Sequence, residues 1–187
     1  MNKKITFIYL LALFFLGQGV VEAEQKEPKS DSMYESSYTS IAQKDCQTLE
    51  SDNLGSIEDC ESFAGMKVIV IEGDTKQGII LTRDNKRYEL DFGSLVSQGF
   101  ISLNSDLEWR YKLQEFDNPC VMILRLEVNE DDDDVEKVTS YALISKITEK
   151  EICIVGKIQI EENQDKLVHV MVEKASNMPC LTQLNKD

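Results

Sequence analysis

Residues 107–113, Leu107-Glu108-Trp109-Arg110-Tyr111-Lys112-Leu113, decide how the chain reads. Leu107, Trp109, Tyr111 and Leu113 fall on one side of an extended backbone, while Glu108, Arg110 and Lys112 fall on the other. That two-residue period is the signature of a strand with one buried face. Downstream, Met122, Leu124, Leu126 and Val128 alternate with Val121, Ile123, Arg125 and Glu127 in the same way. Cys120 shares the parity of Met122, so the pattern points it into the core.

Upstream, Tyr88, Leu90 and Phe92 alternate with Arg87, Glu89 and Asp91. Met66 to Glu72 and Gly78 to Thr82 are β-branched runs separated by the turn residues Gly73-Asp74. Ser94 to Leu103 fits either a helical turn or an irregular crossover. Val138 to Ile147 and Ile152 to Ile160 form two further strands joined by Thr148-Glu149-Lys150-Glu151. In the second of these, Ile152, Ile154, Ile158 and Ile160 are expected on one face, with Cys153 and Val155 on the other.

The period then changes. Leu167, Val168, Met171, Val172 and Ala175 fall on one stripe of a helix expected from about Glu162 to Asn177, with Lys174 near its C-terminal end. Asn177 and Pro179 stop it. About seven strands and one C-terminal helix imply an α+β domain, with the helix packed on an antiparallel sheet.

The N-terminal segment reads as an export signal. Lys3 and Lys4 precede an uncharged apolar run from Ile5 to Leu16, and Val21-Glu22-Ala23 has small residues where a signal peptidase cleaves. The run is too short for a comfortable permanent anchor, so no stable membrane anchor is expected. Residues 1–23 are therefore read as signal peptide and 24–37, poor in anything to bury, as a disordered tether. Residues 38–187 are read as a single globular domain.

The chain carries a net charge of −14. Such an excess repels phosphate backbones and anionic lipid over a Debye length of roughly 8 Å, which disfavours nucleic acid and makes a cationic protein or a divalent metal the natural partner. Cys46, Cys60, Cys120, Cys153 and Cys180 all lie beyond the signal. In an oxidising compartment the simplest state is two disulfides and one free thiol, in any of several pairings. A Cys46–Cys60 bridge would close a polar loop that otherwise has little reason to be ordered. A Cys153–Cys180 bridge would staple the helix to the sheet. Cys120 would then be a buried thiol, although the pattern leaves it open as a disulfide partner.

Few residues nominate chemistry. Glu130, Asp131, Asp132, Asp133, Asp134 and Glu136 form a dense acidic run between two strands. Asp131, Asp132, Asp133, Asp134 and Glu136 offer the oxygen ligands that Ca²⁺ takes, but the run lacks the glycine and ligand alternation of a calcium loop, so it reads as solvated. No metal and no cofactor is expected. His169, the only histidine, reads as a helix surface residue. Gly93-Ser94 begins a nucleophile-elbow pattern that Val96 breaks. Trp109 lies on the apolar side of its strand and reads as core.

Tyr38-Thr39-Ser40-Ile41, Cys46, Thr48-Leu49-Glu50, Leu90-Asp91-Phe92, Glu108-Trp109-Arg110, Thr139-Ser140-Tyr141, Ile152-Cys153 and Met178-Pro179-Cys180-Leu181 together resemble a family of exported proteins of Gram-negative bacteria that has no assigned activity. The resemblance implies a periplasmic location and cysteines at the positions of Cys46, Cys60, Cys153 and Cys180, but not of Cys120. Two functional expectations follow from the whole sequence. The first is a non-enzymatic periplasmic binding protein that captures a cationic protein. The second is a hydrolase of envelope polymers that uses paired carboxylates.

Overall fold

The alternation at residues 107–113 lies within one of ten strands found among the described residues of the computed structural model. Residues 33–73, 77–129, 134, 137–161 and 165–182 are described, and they fall in one compact unit. The signal, most of the expected tether and the first expected turn of the helix lie outside them. In chain order the elements are β1 (Tyr34–Ser40), β2 (Gln47–Ser51), β3 (Ser56–Phe63), β4 (Met66–Glu72), β5 (Gln77–Arg83), β6 (Lys86–Leu90), the short α1 (Phe92–Leu95), β7 (Phe100–Lys112), β8 (Val121–Asn129), β9 (Val138–Ile147), β10 (Ile152–Gln159) and α2 (Asp165–Lys174).

These strands make two antiparallel five-stranded sheets, ordered β1-β7-β8-β9-β10 and β2-β3-β4-β5-β6. Leu107, Trp109, Met122, Leu124, Leu126 and Leu143 of the first sheet meet Val68, Val70, Ile79 and Leu81 of the second in one core cluster. On the opposite face of the first sheet, Val121, Ile123, Ala142, Ile144, Val155 and Ile158 pack against Val168 and Val172 of α2 and Ala175 just beyond it. The order of layers is sheet, sheet, helix.

The α+β class, the C-terminal helix and the two disulfides are present, but the single sheet of about seven strands is not. Three strands were hidden. β1 begins at Tyr34, inside the expected tether, and its short polar side chains give no apolar period. All five residues of β2 are exposed. β3 buries Ser56 and Glu58 along with Cys60, so polar residues occupy the inward positions that alternation relies on. Downstream, Ser94 to Leu103 resolves into the end of α1 and the start of a β7 that reaches back to Phe100.

Several inward assignments also change, those of Ile160 and Cys120 among them. Leu113 falls beyond the end of β7 and is 54% exposed. Leu167, expected in the helix stripe, is 53% exposed because the stripe is narrower than its sequence spacing suggests. Ile158 joins the cluster under α2 because the β9–β10 register shifts between Ile154 and Gly156, and the extra residue reverses side-chain parity.

Gly156 fits that packing. A Cβ there would lie 1.9 Å from Met171 Sδ, so the glycine lets α2 approach β10 closely. Gly156→Ala should therefore destabilise by about 1–3 kcal/mol through overpacking. Most of that loss should vanish when Met171 is also Ala. A double-mutant cycle measured by urea unfolding checks this, and additive losses would show that the two residues do not share the contact.

Candidate functional site

Of the acidic run, only Asp134 lies among the described residues; Asp131, Asp132, Asp133 and Glu136 lie outside them. The backbone carbonyl of Asp134 accepts from Asn129 Nδ2 at 2.9 Å and from the Lys137 N–H at 3.2 Å, which closes a turn. His169 is half-buried on α2. Ser94 lies inside α1 and is capped by Asp91, whose Oδ1 accepts from the Ser94 N–H at 3.0 Å. Trp109 is fully buried, stacks on Phe63 with centroids 5.3 Å apart and donates from Nε1 to Thr39 Oγ1 at 2.9 Å.

The disulfides join Cys46 to Cys60 and Cys153 to Cys180. Glu151 lies near the second bridge, but both sulfurs are covalently paired there and offer no thiolate, while Glu151 itself pairs with Lys146 at 2.6 Å. Cys120 is free and only half-buried. Strand β8 begins one residue later than its parity requires, and the thiol packs against the cluster under α2 instead of between the sheets. Burial, the largest influence, raises its pKa and keeps it protonated and unreactive.

Sequence patterning missed three buried charged residues, Glu58, Glu108 and Lys146. Glu108, with only 2% of its side chain exposed, binds Arg110 at 2.5 Å and Arg125 at 2.9 Å across β7 and β8, and Ser36 Oγ donates to it at 3.2 Å. Lys146, nearly as buried, also donates to the Met178 carbonyl at 2.9 Å and so ties the chain after α2 to β9. The only signal for Glu108 in the sequence was its place on the polar side of a strand. Its burial follows from the covering of that face.

The candidate site is a pair of clefts at one end of the second sheet. The first, about 340 Å³, is lined by Glu50, Asp52, Ser56, Glu72 and the apolar Ile57 and Ile71. Its shape depends on Gly55, where a Cβ would lie 1.9 Å from the Glu72 carbonyl oxygen, so the β2–β3 turn sits directly on the end of β4. Asp52 Oδ1 accepts from the Leu54 and Gly55 N–H groups and fixes that turn. The second cleft, about 540 Å³, is lined by Gln77, Gly78, Ile80, Glu89 and Asp91 together with Ile71. Both volumes are within the usual range for binding sites, roughly 300–1,000 Å³. Among the described residues no lysine or arginine lines either cleft.

Polar side chains run inward from the first cleft. Ser56 Oγ donates to Glu72 Oε2 at 3.4 Å, and Gln77 links the other oxygen of Glu72, at 2.5 Å, to the Leu103 N–H at 2.6 Å. Glu58, on the same face of β3 as Ser56, is 1% exposed. The hydroxyl of Thr48, its cross-strand partner, holds the carboxyl below its usual pKa against the opposing effect of burial, with help from Ser56 and Gln43. The sequence offered a usable signal here, because Met66 to Glu72 is apolar on both sides, which a sheet with one wet face does not need.

No protein-family model, curated protein or solved structure matches the chain. The resemblance to exported proteins of Gram-negative bacteria therefore rests on the sequence motifs alone.

Because its pKa is lower folded than unfolded, Glu58 contributes stability above its unfolded pKa of about 4.3, and that contribution is lost as pH falls through the folded value. Glu58→Gln should accordingly have a shallower loss of melting temperature from neutral pH into the acid limb than the parent protein. Parallel slopes would show that Glu58 is not held ionised by its neighbours.

Proposed function

We propose that the chain is a non-enzymatic binding protein of the bacterial periplasm that captures a cationic protein. The supporting observation is the pair of clefts, lined by Glu50, Asp52, Glu72, Glu89 and Asp91 and by no basic side chain among the described residues, in a chain of net charge −14. Such a surface steers a positively charged partner into contact and sets its orientation, and both effects weaken as salt screens them. Export is read from the N-terminal sequence, and two disulfides suit an oxidising compartment.

For the hydrolase reading, the relevant carboxylates beside the first cleft are Glu58 and Glu72. They stand as diagonal neighbours on β3 and β4, an arrangement that places such residues about 7–8 Å apart. Glycoside cleavage would need one of the two kept protonated as general acid. Glu58 is shifted the other way, toward the ionised form, which weighs against that use.

Titration calorimetry with lysozyme as the cationic test protein checks the binding reading. Binding is expected at about 20 mM salt and should weaken at least about tenfold at about 300 mM, as screening shortens the Debye length. Absence of binding at low salt, or an affinity indifferent to salt, would overturn it.

A further inference from the structure

The outward face of the second sheet carries a stripe of isoleucines in which Ile57, Ile69 and Ile71 are partly exposed and Ile80 is buried, and α2 does not lie on it. Cross-strand register places Ile57 beside Ile71 and Ile71 beside Gly78, with Ile69 beside Ile80 in the next row. Ile57, Ile69 and Ile71 are half-buried and belong to neither core cluster. On the first sheet the equivalent face is occupied by α2. Here the two acidic clefts flank the stripe and share Ile71.

Gly78 makes this face more than an uncovered sheet. A glycine inside a strand marks a bulge, a special backbone conformation, or a place where something approaches closely. The β4–β5 register runs without a shift from Lys67 opposite Thr82 to Glu72 opposite Gln77, so there is no bulge. Gly78 is not among the residues with positive φ. A Cβ built on it would meet nothing within 4 Å. Neither the backbone nor packing among the described residues calls for glycine, and what it leaves is a dent floored by main chain between Ile71 and Ile80.

We propose that this dent receives an apolar side chain from a basic polypeptide segment of the captured protein. A lysine or arginine residue beside that anchor would meet Glu89, the carboxylate that cross-strand register places next to Ile80 on the outward face. The proposal rests on the binding reading above and adds where the partner docks and by what chemistry. Charge selects the occupant. A second copy of this chain would bring its own charge of −14 against the same acidic rim, whereas a basic segment neutralises it. The positive groups nearest the rim are already engaged on exposed pairs, Arg87 with Glu89 at 2.8 Å and Lys67 with Asp59 at 2.9 Å. Such exposed pairs are weak and easily exchanged for a partner's cation.

The test uses fluorescence anisotropy of the full protein with two labelled synthetic peptides, an all-lysine oligomer and the same oligomer with one central leucine. The leucine peptide should bind roughly tenfold or more tightly than the all-lysine peptide, as expected for burying one large aliphatic side chain. Gly78→Val, whose Cβ enters open space, should erase that advantage, while leaving the all-lysine affinity and the melting temperature undiminished. Ile71→Thr, which removes one wall, should reduce the advantage as well and decides the matter should the first variant not fold. Glu173→Gln, on the exposed side of α2 and outside both clefts, should leave the advantage intact. Equal binding of the two peptides, or a leucine advantage that survives Gly78→Val and Ile71→Thr, overturns the proposal. Salt-sensitive capture of lysozyme without leucine preference overturns this docking site alone, and loss of both overturns the binding reading with it.

Discussion

Ile123 and Leu124 are neighbours in β8, and both are fully buried, Leu124 against the second sheet and Ile123 beneath α2. Two-sided burial of the first sheet is the constraint on which the remaining structure depends. A strand buried on both faces cannot alternate cleanly between apolar and polar residues. It must also have a covering layer on each side. The second sheet supplies one and α2 the other, and each needs a device to seat it. Gly156 removes the Cβ that would strike Met171, and the Ile154/Gly156 register shift turns Ile158 toward the helix.

Helix α2 has only ten residues and would be marginal by itself, so its docking has to be enforced. Val168, Val172 and Ala175 supply the apolar contact. Beyond them, the Cys153–Cys180 bridge, the Lys146 bond to the Met178 carbonyl and the Leu181 N–H to Ile154 carbonyl bond at 2.8 Å hold the tail along β10. By loop-closure entropy a bridge spanning 27 residues stabilises by roughly 3–4 kcal/mol. The Cys46–Cys60 bridge does the same for β2, which has no buried residue to anchor it. Where α2 ends, the covered face still holds Glu108, and Arg110 and Arg125 compensate its charge. Breaking such a buried set costs about 3–5 kcal/mol, although replacing it whole by apolar residues can be neutral.

How legible this was depended on which physical signal each element leaves in the sequence. The later strands and the helix were readable because their periods come from apolar burial. β1, β2 and β3 left no such trace, since β2 buries nothing and β3 buries Ser56 and Glu58. Parity arguments failed wherever the chain broke register. Cys120 lies just outside β8, and Ile158 follows a bulge. The clefts could not be read in advance, because they arise from residues that become neighbours only through strand pairing, such as Ile57, Ile71 and Gly78. Of the acidic run only Asp134 lies among the described residues, and it lines neither cleft.

A protein with the layers sheet, sheet and helix has one sheet face left over. On most small domains that face would be polar, and a contiguous apolar patch there marks either a partner surface or an aggregation hazard. The charge around the stripe bears on both outcomes. Glu50 and Glu89 are the cross-strand neighbours of Ile57 and Ile80, and no basic side chain lines the two clefts among the described residues. Identical chains that approached through this face would bring like charges together as they lost water, at a cost that rises as the contact dries. A cationic surface would meet the opposite sign over the same ground. The acidic excess of the chain thus favours a cationic partner over a copy at this face, so Ile57, Ile69 and Ile71 can stay partly exposed in the free protein without becoming a self-association site.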